Sequence, residues 1–77
     1  IANGDVMSKV KVVVRLEESQ RHRIDKVASV LTSRGMEVEA RMPILGHIAG
    51  VCDESQLDAL KDVPGVASVR RERAFTV

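Results

Sequence analysis

The sequence predicts an α+β domain whose elements follow the order strand, helix, strand, strand, helix, strand. Four short segments alternate apolar and polar residues with a period of two, which is typical of strands with one buried face. Two other segments repeat their apolar residues every three or four positions, as amphipathic helices do. The connections are short, and right-handed crossovers close the two strand–helix–strand units most simply into a four-stranded antiparallel sheet with both helices on one face, the ferredoxin-like sandwich.

The 77 residues are enough for one domain, which we place at residues 9–77, and residues 1–8 are expected to be a disordered N-terminal segment or a cloning remnant. Twelve basic and eleven acidic residues leave a net charge of +1, far from the basic excess that drives binding to phosphate backbones. No apolar run approaches the ~20 residues that cross a bilayer. We therefore expect neither a nucleic-acid nor a membrane partner. A natural start at Met7 predicts a cytoplasmic protein, and trimming from a precursor predicts a secreted one.

The first strand is expected over residues 9–16, where Val10, Val12 and Val14 share the buried side. Val13 falls on the solvent side, where the alternation calls for a polar residue. Its position indicates either a central strand or a patch that a partner covers.

The first helix is expected over residues 18–34 and has about four turns. Gly35 follows it and can adopt the left-handed conformation that often closes a helix. Its buried stripe consists of Ile24, Val27, Ala28 and Leu31.

The second strand is expected over residues 36–42 and must end at Pro43 or lie at a sheet edge, because proline donates no main-chain hydrogen bond. A turn then leads to the third strand, in which Gly50 is expected to let a helix pack closely. The inward face of the second strand is predicted to consist of Met36, Val38, Ala40 and Met42. The inward face of the third consists of Ile48, Gly50 and Cys52.

The second helix is expected to begin at Asp53, whose carboxylate can cap it, with Gln56 placed for a capping box. Pro64 and Gly65 end it and turn the chain into the last strand. We expect the first and third strands at the centre of the sheet. The residues predicted to form the core are Ile24, Val27, Leu31, Leu57 and Leu60, packed against Val10, Val12, Val14, Ile48 and Cys52.

The side chains that usually carry chemistry are few and scattered. His22 and His47 are expected in solvent, and Cys52 on the core side of a strand, so we expect no metal site, no cofactor and no enzyme activity. RNA-binding members of this fold class stack bases on aromatic residues of the sheet, and this sheet has none. The basic residues of the last strand are interrupted by Glu72, which is typical of a solvated edge strand.

The segment of residues 46–73 resembles the propeptide-inhibitor family of subtilisin-like serine proteases. The resemblance implies a domain that lays its open sheet face against two parallel helices of the protease. It also implies that the C-terminal tail enters the substrate cleft as a product-like inhibitor, or that the domain assists folding of the protease. The matching residues are Leu57, Leu60, Pro64, Gly65, Val66 and Val69.

The resemblance also implies which residues contact the protease. The family usually has acidic residues at the positions of Arg70 and Glu72, where carboxylates meet the positive ends of protease helices. Glu72 keeps this role, whereas Arg70 indicates a different partner, a shifted docking register or a loss of inhibition. Val77 is expected in the primary specificity pocket. The residues implied in protease binding are Arg70, Glu72, Ala74, Phe75, Thr76 and Val77.

Two other classes of function stay open. A small-molecule-binding regulatory module of the ACT type shares this order of elements, but such modules carry a glycine in the first strand-to-helix loop. Here that loop, residues 16–19, has no glycine. The other alternative is a plain protein-interaction domain. We expect the free protein to be a monomer, with at most weak dimerisation.

Overall fold

The computed structural model describes residues 9–72, in which four strands form one antiparallel sheet in the order β2-β3-β1-β4. This confirms the ferredoxin-like arrangement, with the first and third strands at its centre. The predicted N-terminal segment, residues 1–8, lies outside the described residues. The strands are β1 (Lys9–Leu16), β2 (Glu37–Met42), β3 (His47–Asp53) and β4 (Val66–Glu72).

Two helical segments lie between the strands, and each begins with a 3₁₀ turn. The segment Glu18–Arg23 is 3₁₀ and continues into helix α1, Ile24–Ser33. The segment Glu54–Gln56 is also 3₁₀ and continues into helix α2, Leu57–Lys61. The prediction of a four-turn α-helix from Glu18 was therefore wrong in its first six residues. None of these six is buried, so core packing does not select the α geometry there.

The predictions for the end of the first helix and the start of the second are confirmed in part. Gly35 has φ 102° and ends α1 in the left-handed conformation. Asp53 caps the second segment, but its Oδ1 accepts from the amide and the hydroxyl of Ser55, both at 3.0 Å, and Gln56 completes no capping box. The side chain of Gln56 lies against Gly35 instead, joining the end of one helix to the start of the other.

The core lies between the sheet and the helices, as the two periodicities predicted. Eight of the ten residues predicted to be buried are at most 6% exposed. The other two, Val10 and Leu57, are half-buried and pack against the core. Leu57 begins the five-residue helix α2 directly after the 3₁₀ turn, at the margin of the core. The buried residues are Val12, Val14, Leu16, Ile24, Val27, Ala28, Leu31, Met36, Ile48, Cys52, Leu60 and Val63.

A β-bulge in β2 reverses the predicted faces of that strand's second half. Val38 pairs with Gly50 on the core side, but the register then shifts and Ala40 pairs with Ala49 on the opposite side. Met42 follows Ala40 and pairs with His47. An extra residue in one strand sends every following side chain to the other face. The prediction that Ala40 and Met42 point into the core was therefore wrong.

The close approach of the neighbouring strand β2 requires a glycine at position 50. The prediction that Gly50 lets a helix pack closely was wrong. A Cβ atom at this position would overlap the carbonyl oxygen of Glu37 and come within 2.9 Å of Met36 Cε. Main-chain atoms of β2 thus occupy the space of the missing side chain, next to the bulge.

Gly50→Ala is expected to lower the free energy of unfolding by about 1 to 3 kcal/mol, because β2 must move away from β3 to admit the methyl group. Urea unfolding followed by circular dichroism measures the change. A variant that unfolds at the same urea concentration as the wild type would contradict the close approach of β2.

Candidate functional site

One face of the sheet is free of helices within the described part of the chain, and we call it the open face. The buried Val12 and Val14 point to the helices, so the alternate residues of β1 point to the open face. The strand register then assigns the residues of the other strands, because paired residues share a face. The open face consists of Glu37, Ala40, Met42, His47, Ala49, Val51, Asp53, Lys9, Lys11, Val13, Arg15, Ser68, Arg70 and Glu72.

The middle of the open face is apolar. Ala40, Ala49 and Val13 lie side by side on three neighbouring strands. Met42 and Val51 extend this row on either side, and both are half-buried. We call these five residues the apolar stripe. The bulge in β2 supplies two of its members, so a local irregularity enlarges the apolar surface that faces solvent. Val13, the residue that broke the alternation of β1, lies within this stripe on a central strand.

Among the cations that lie on strands, those of the open face differ from those of the helix side in their partners. On the helix side, Arg71 Nη1 lies 3.0 Å from Glu54 Oε2, and Arg41 Nε lies 3.6 Å from Asp25 Oδ1. Arg21 is similarly paired with Glu18. Within residues 9–72, no carboxylate lies within 4 Å of the charged groups of the four open-face cations. These four are Lys9, Lys11, Arg15 and Arg70.

Arg70 and Glu72 both belong to the open face, on the edge strand β4. Arg70 lies beside Val13 of the apolar stripe, and Glu72 lies beside Lys11. Both are exposed. The residue between them, Arg71, points to the helix side, so the basic run predicted at this strand is divided between two faces. The remaining implied protease contacts, Ala74, Phe75, Thr76 and Val77, lie outside the described residues.

Arg15 is a candidate site residue that the sequence reasoning did not select. It lies on the open face beside Ser68 and next to the apolar stripe. Its position two residues after Val13 was visible in the sequence. What makes it a candidate is the pairing of β1 with β4, which brings Arg15 near Arg70.

The residues considered for catalysis do not converge. Cys52 is buried in the core, whereas His47 is half-buried on the open face and His22 is exposed on the first 3₁₀ turn. Among residues 9–72, no three His, Cys, Asp or Glu side chains are grouped so that they could hold a metal ion. The same part of the chain contains no helix long and apolar enough to span a membrane.

Burial raises the pKa of the Cys52 thiol above its ordinary value of 9.0, and the neighbouring Asp53 carboxylate raises it further. Since the thiol ionises more readily in the unfolded chain, unfolding releases a proton at alkaline pH, and stability falls as pH rises above about 9. We expect Cys52→Ala to remove this part of the alkaline loss. Denaturant titrations of both proteins at about pH 8 and about pH 10 measure it. Equal losses in the two proteins would assign the whole effect to other groups.

The turn between β2 and β3 exposes two large aliphatic side chains, Ile44 (85%) and Leu45 (60%). The turn is held on both sides, because the Gly46 amide donates to the Met42 carbonyl at 2.8 Å and the Arg21 guanidinium donates to the Ile44 carbonyl. These residues therefore form a fixed apolar projection at the end of the sheet opposite the start of β1.

Comparisons with models of protein families, with curated proteins and with solved structures gave no match for this chain.

Proposed function

We propose that this protein binds a subtilisin-like serine protease through the open face and inhibits it with its C-terminal tail, or assists its folding. The observation that carries this proposal is the apolar stripe, which no described helix covers and which has Arg70 beside it and Glu72 further along the same edge strand. The resemblance of residues 46–73 to the propeptide-inhibitor family adds to it.

The shape of the open face suits a partner built from helices. The middle row of the stripe contains two alanines and one valine, so a helix can approach the sheet closely. Met42 and Val51 lie toward the two ends of the stripe. Removing such apolar surface from water stabilises a complex by roughly 25 cal/mol per Å² before the costs of association are subtracted.

Glu72 has the chemistry to meet the N-terminus of a partner helix. That end carries about half a positive charge and main-chain amides without partners, and a carboxylate can accept from them. Glu72 is exposed on β4, at the border of the open face, where it can reach across to the partner. Lys11 is its partner on β1, but the charged groups of the two residues form no ion pair.

The tail follows β4 directly and connects the open face with the protease cleft in this proposal. Residues 74–77 include Phe75, the one aromatic residue of the chain. In the complex the tail adds a strand to the cleft, held mainly by main-chain hydrogen bonds, and alternate side chains enter the substrate pockets.

Incubation with a purified subtilisin-like protease tests the proposal. Residual activity and complex formation by gel filtration are measured as the protein concentration is raised. Slow, tight inhibition together with a one-to-one complex is expected. The role of the apolar stripe is tested with a double variant, Ala49→Glu with Val13→Glu. It places charges in the stripe and is expected to abolish the complex.

A different result would redirect the assignment. Degradation of the protein without inhibition would contradict the proposal. Dimers in solution with a thermal shift on adding amino acids would support the ACT-type regulatory module instead. A protein that does neither and still binds another protein through the open face would be the plain interaction domain.

A further inference from the structure

We infer that Arg15 and Arg70 form a carboxylate-binding pair that selects a protease with acidic side chains on its docking surface. This inference rests on the proposed function and names the partner that the open face fits. It starts from the positions of the two arginines on neighbouring strands.

The register brings Arg15 and Arg70 close together. Val13 is paired with Arg70 and Arg15 with Ser68, so the two arginines are diagonal neighbours on β1 and β4. Diagonal neighbours in an antiparallel pair lie roughly 7 to 8 Å apart, within reach of one another's long side chains. Both are exposed. Guanidinium groups on two such neighbouring positions repel each other where they approach, and a carboxylate placed between them removes the repulsion and accepts from both.

The charges of the open face are divided along the strands. The carboxylates of Glu37 and Glu72 lie in the same row as Lys11, and Asp53 lies beside Lys9. At that end of the sheet, acidic and basic groups are mixed. The rows that contain Arg70 and Arg15 contain no carboxylate. Glu72 follows Arg70 by two residues on the same face, but the two form no ion pair, so the positive charge of both arginines stays available to a partner.

Arg71, the next residue of β4, does form an ion pair within the domain. It follows Arg70 in β4, points to the other face and contacts Glu54 at 3.0 Å. Arg15 and Arg70 have no such neighbour within residues 9–72. Two arginines without an ion-pair partner in the described chain therefore lie beside the apolar stripe, on the surface proposed to bind the protease.

Protein carboxylates fit this surface better than nucleic-acid phosphates do. Single-stranded RNA is bound on such sheets by stacking of several bases on aromatic rings, and the described open face has no Phe, Tyr or Trp and only one half-buried histidine, His47. The same face also carries three carboxylates, Glu37, Asp53 and Glu72, toward its other end, and these would repel a phosphate backbone that extends past the two arginines.

The test compares Arg70→Gln, Arg15→Gln and their double variant with Arg71→Gln. This control removes one charge, as each single variant does, and lies on β4 like Arg70 but on the other face. Inhibition constants are measured against purified subtilisin-like proteases with acidic and with basic surfaces, at low and high salt. Each open-face variant is expected to weaken inhibition of the acidic protease about tenfold, the scale of a lost charge-assisted hydrogen bond. Arg71→Gln is expected to change it about twofold or less, because its ion pair is exposed.

Higher salt should weaken the wild type more than the double variant, and the basic protease should be inhibited less than the acidic one. If the acidic protease is inhibited equally by all variants, the carboxylate-binding pair is overturned while the proposed function stands. If no protease of either kind is bound or inhibited, the proposed function fails and this inference with it. Binding of a single-stranded RNA oligonucleotide that the double variant loses would assign the arginines to phosphates and overturn the inference.

Discussion

Leu60→Ala is expected to lower the free energy of unfolding by about 2 to 5 kcal/mol, the usual cost of truncating a fully buried leucine. Leu60 is 0% exposed and belongs to the single core under the helices. A domain of this size has few other contacts to offset the cavity, and its whole stability is of the same order. Thermal unfolding by circular dichroism should therefore show a fall in Tm of about 10 °C or more.

Leu57→Ala is the matched control for Leu60→Ala. It removes the same atoms from the same short helix, but Leu57 is half-buried at the margin of the core. We expect it to cost about 1 kcal/mol, because less apolar surface returns to water and the gap opens to solvent. Equal melting of the two variants would contradict the different burial of these leucines.

Deletion of residues 75–77 is expected to weaken inhibition of a subtilisin-like protease on the order of a hundredfold, since several main-chain hydrogen bonds of about 1 kcal/mol each are lost in the cleft. The melting temperature should change little, because the buried apolar residues of the described chain all lie between Val12 and Val63. Inhibition constants and thermal unfolding are measured on the same preparation.

A deletion of three residues at the other end of the chain, residues 1–3, serves as the control and should affect neither property. The alternative is that Phe75 packs on the core. In that case the C-terminal deletion lowers the free energy of unfolding by about 2 kcal/mol, as partial loss of a buried aromatic does. Inhibition that survives the deletion unchanged would overturn the tail mechanism.

The sequence was sufficient for the order of the elements and for most of the core. The spacing of Ile24, Val27 and Leu31 indicates a helix with one buried stripe. The alternation in β1 indicates a strand with one buried face. These local patterns do not depend on where the neighbouring strand lies. For this reason the buried faces of α1, β1 and β3 were predictable residue by residue.

The second half of β2 was not predictable in the same way. Apolar and polar residues alternate through it without interruption, and nothing in that pattern marks a bulge at residue 39. The bulge lies next to the close approach of β2 to Gly50 of β3, a contact between strands that the pattern of one strand cannot show. Local alternation therefore placed Ala40 and Met42 in the core, although they belong to the apolar stripe of the open face.

The same limit applies to the candidate site. Arg70 and Glu72 could be selected by their place in a family pattern, and their spacing of two residues puts them on one face of a strand. Arg15 lies far from them along the chain and has no motif of its own. Only the pairing of β1 with β4 brings it beside Arg70, so it could be found only when the register was known.

The central position of β1 also has a consequence for the order of folding. Val14 is flanked by Ile48 of β3 and by Val69 of β4, the last strand of the described chain. Such contacts between distant parts of a sequence form slowly, because a long loop must close before they stabilise the sheet. During synthesis, β1 thus lacks one neighbour until β4 has left the ribosome. Since Arg15 and Arg70 come together only at that step, a partner that binds both arginines distinguishes the completed domain from a partly folded one.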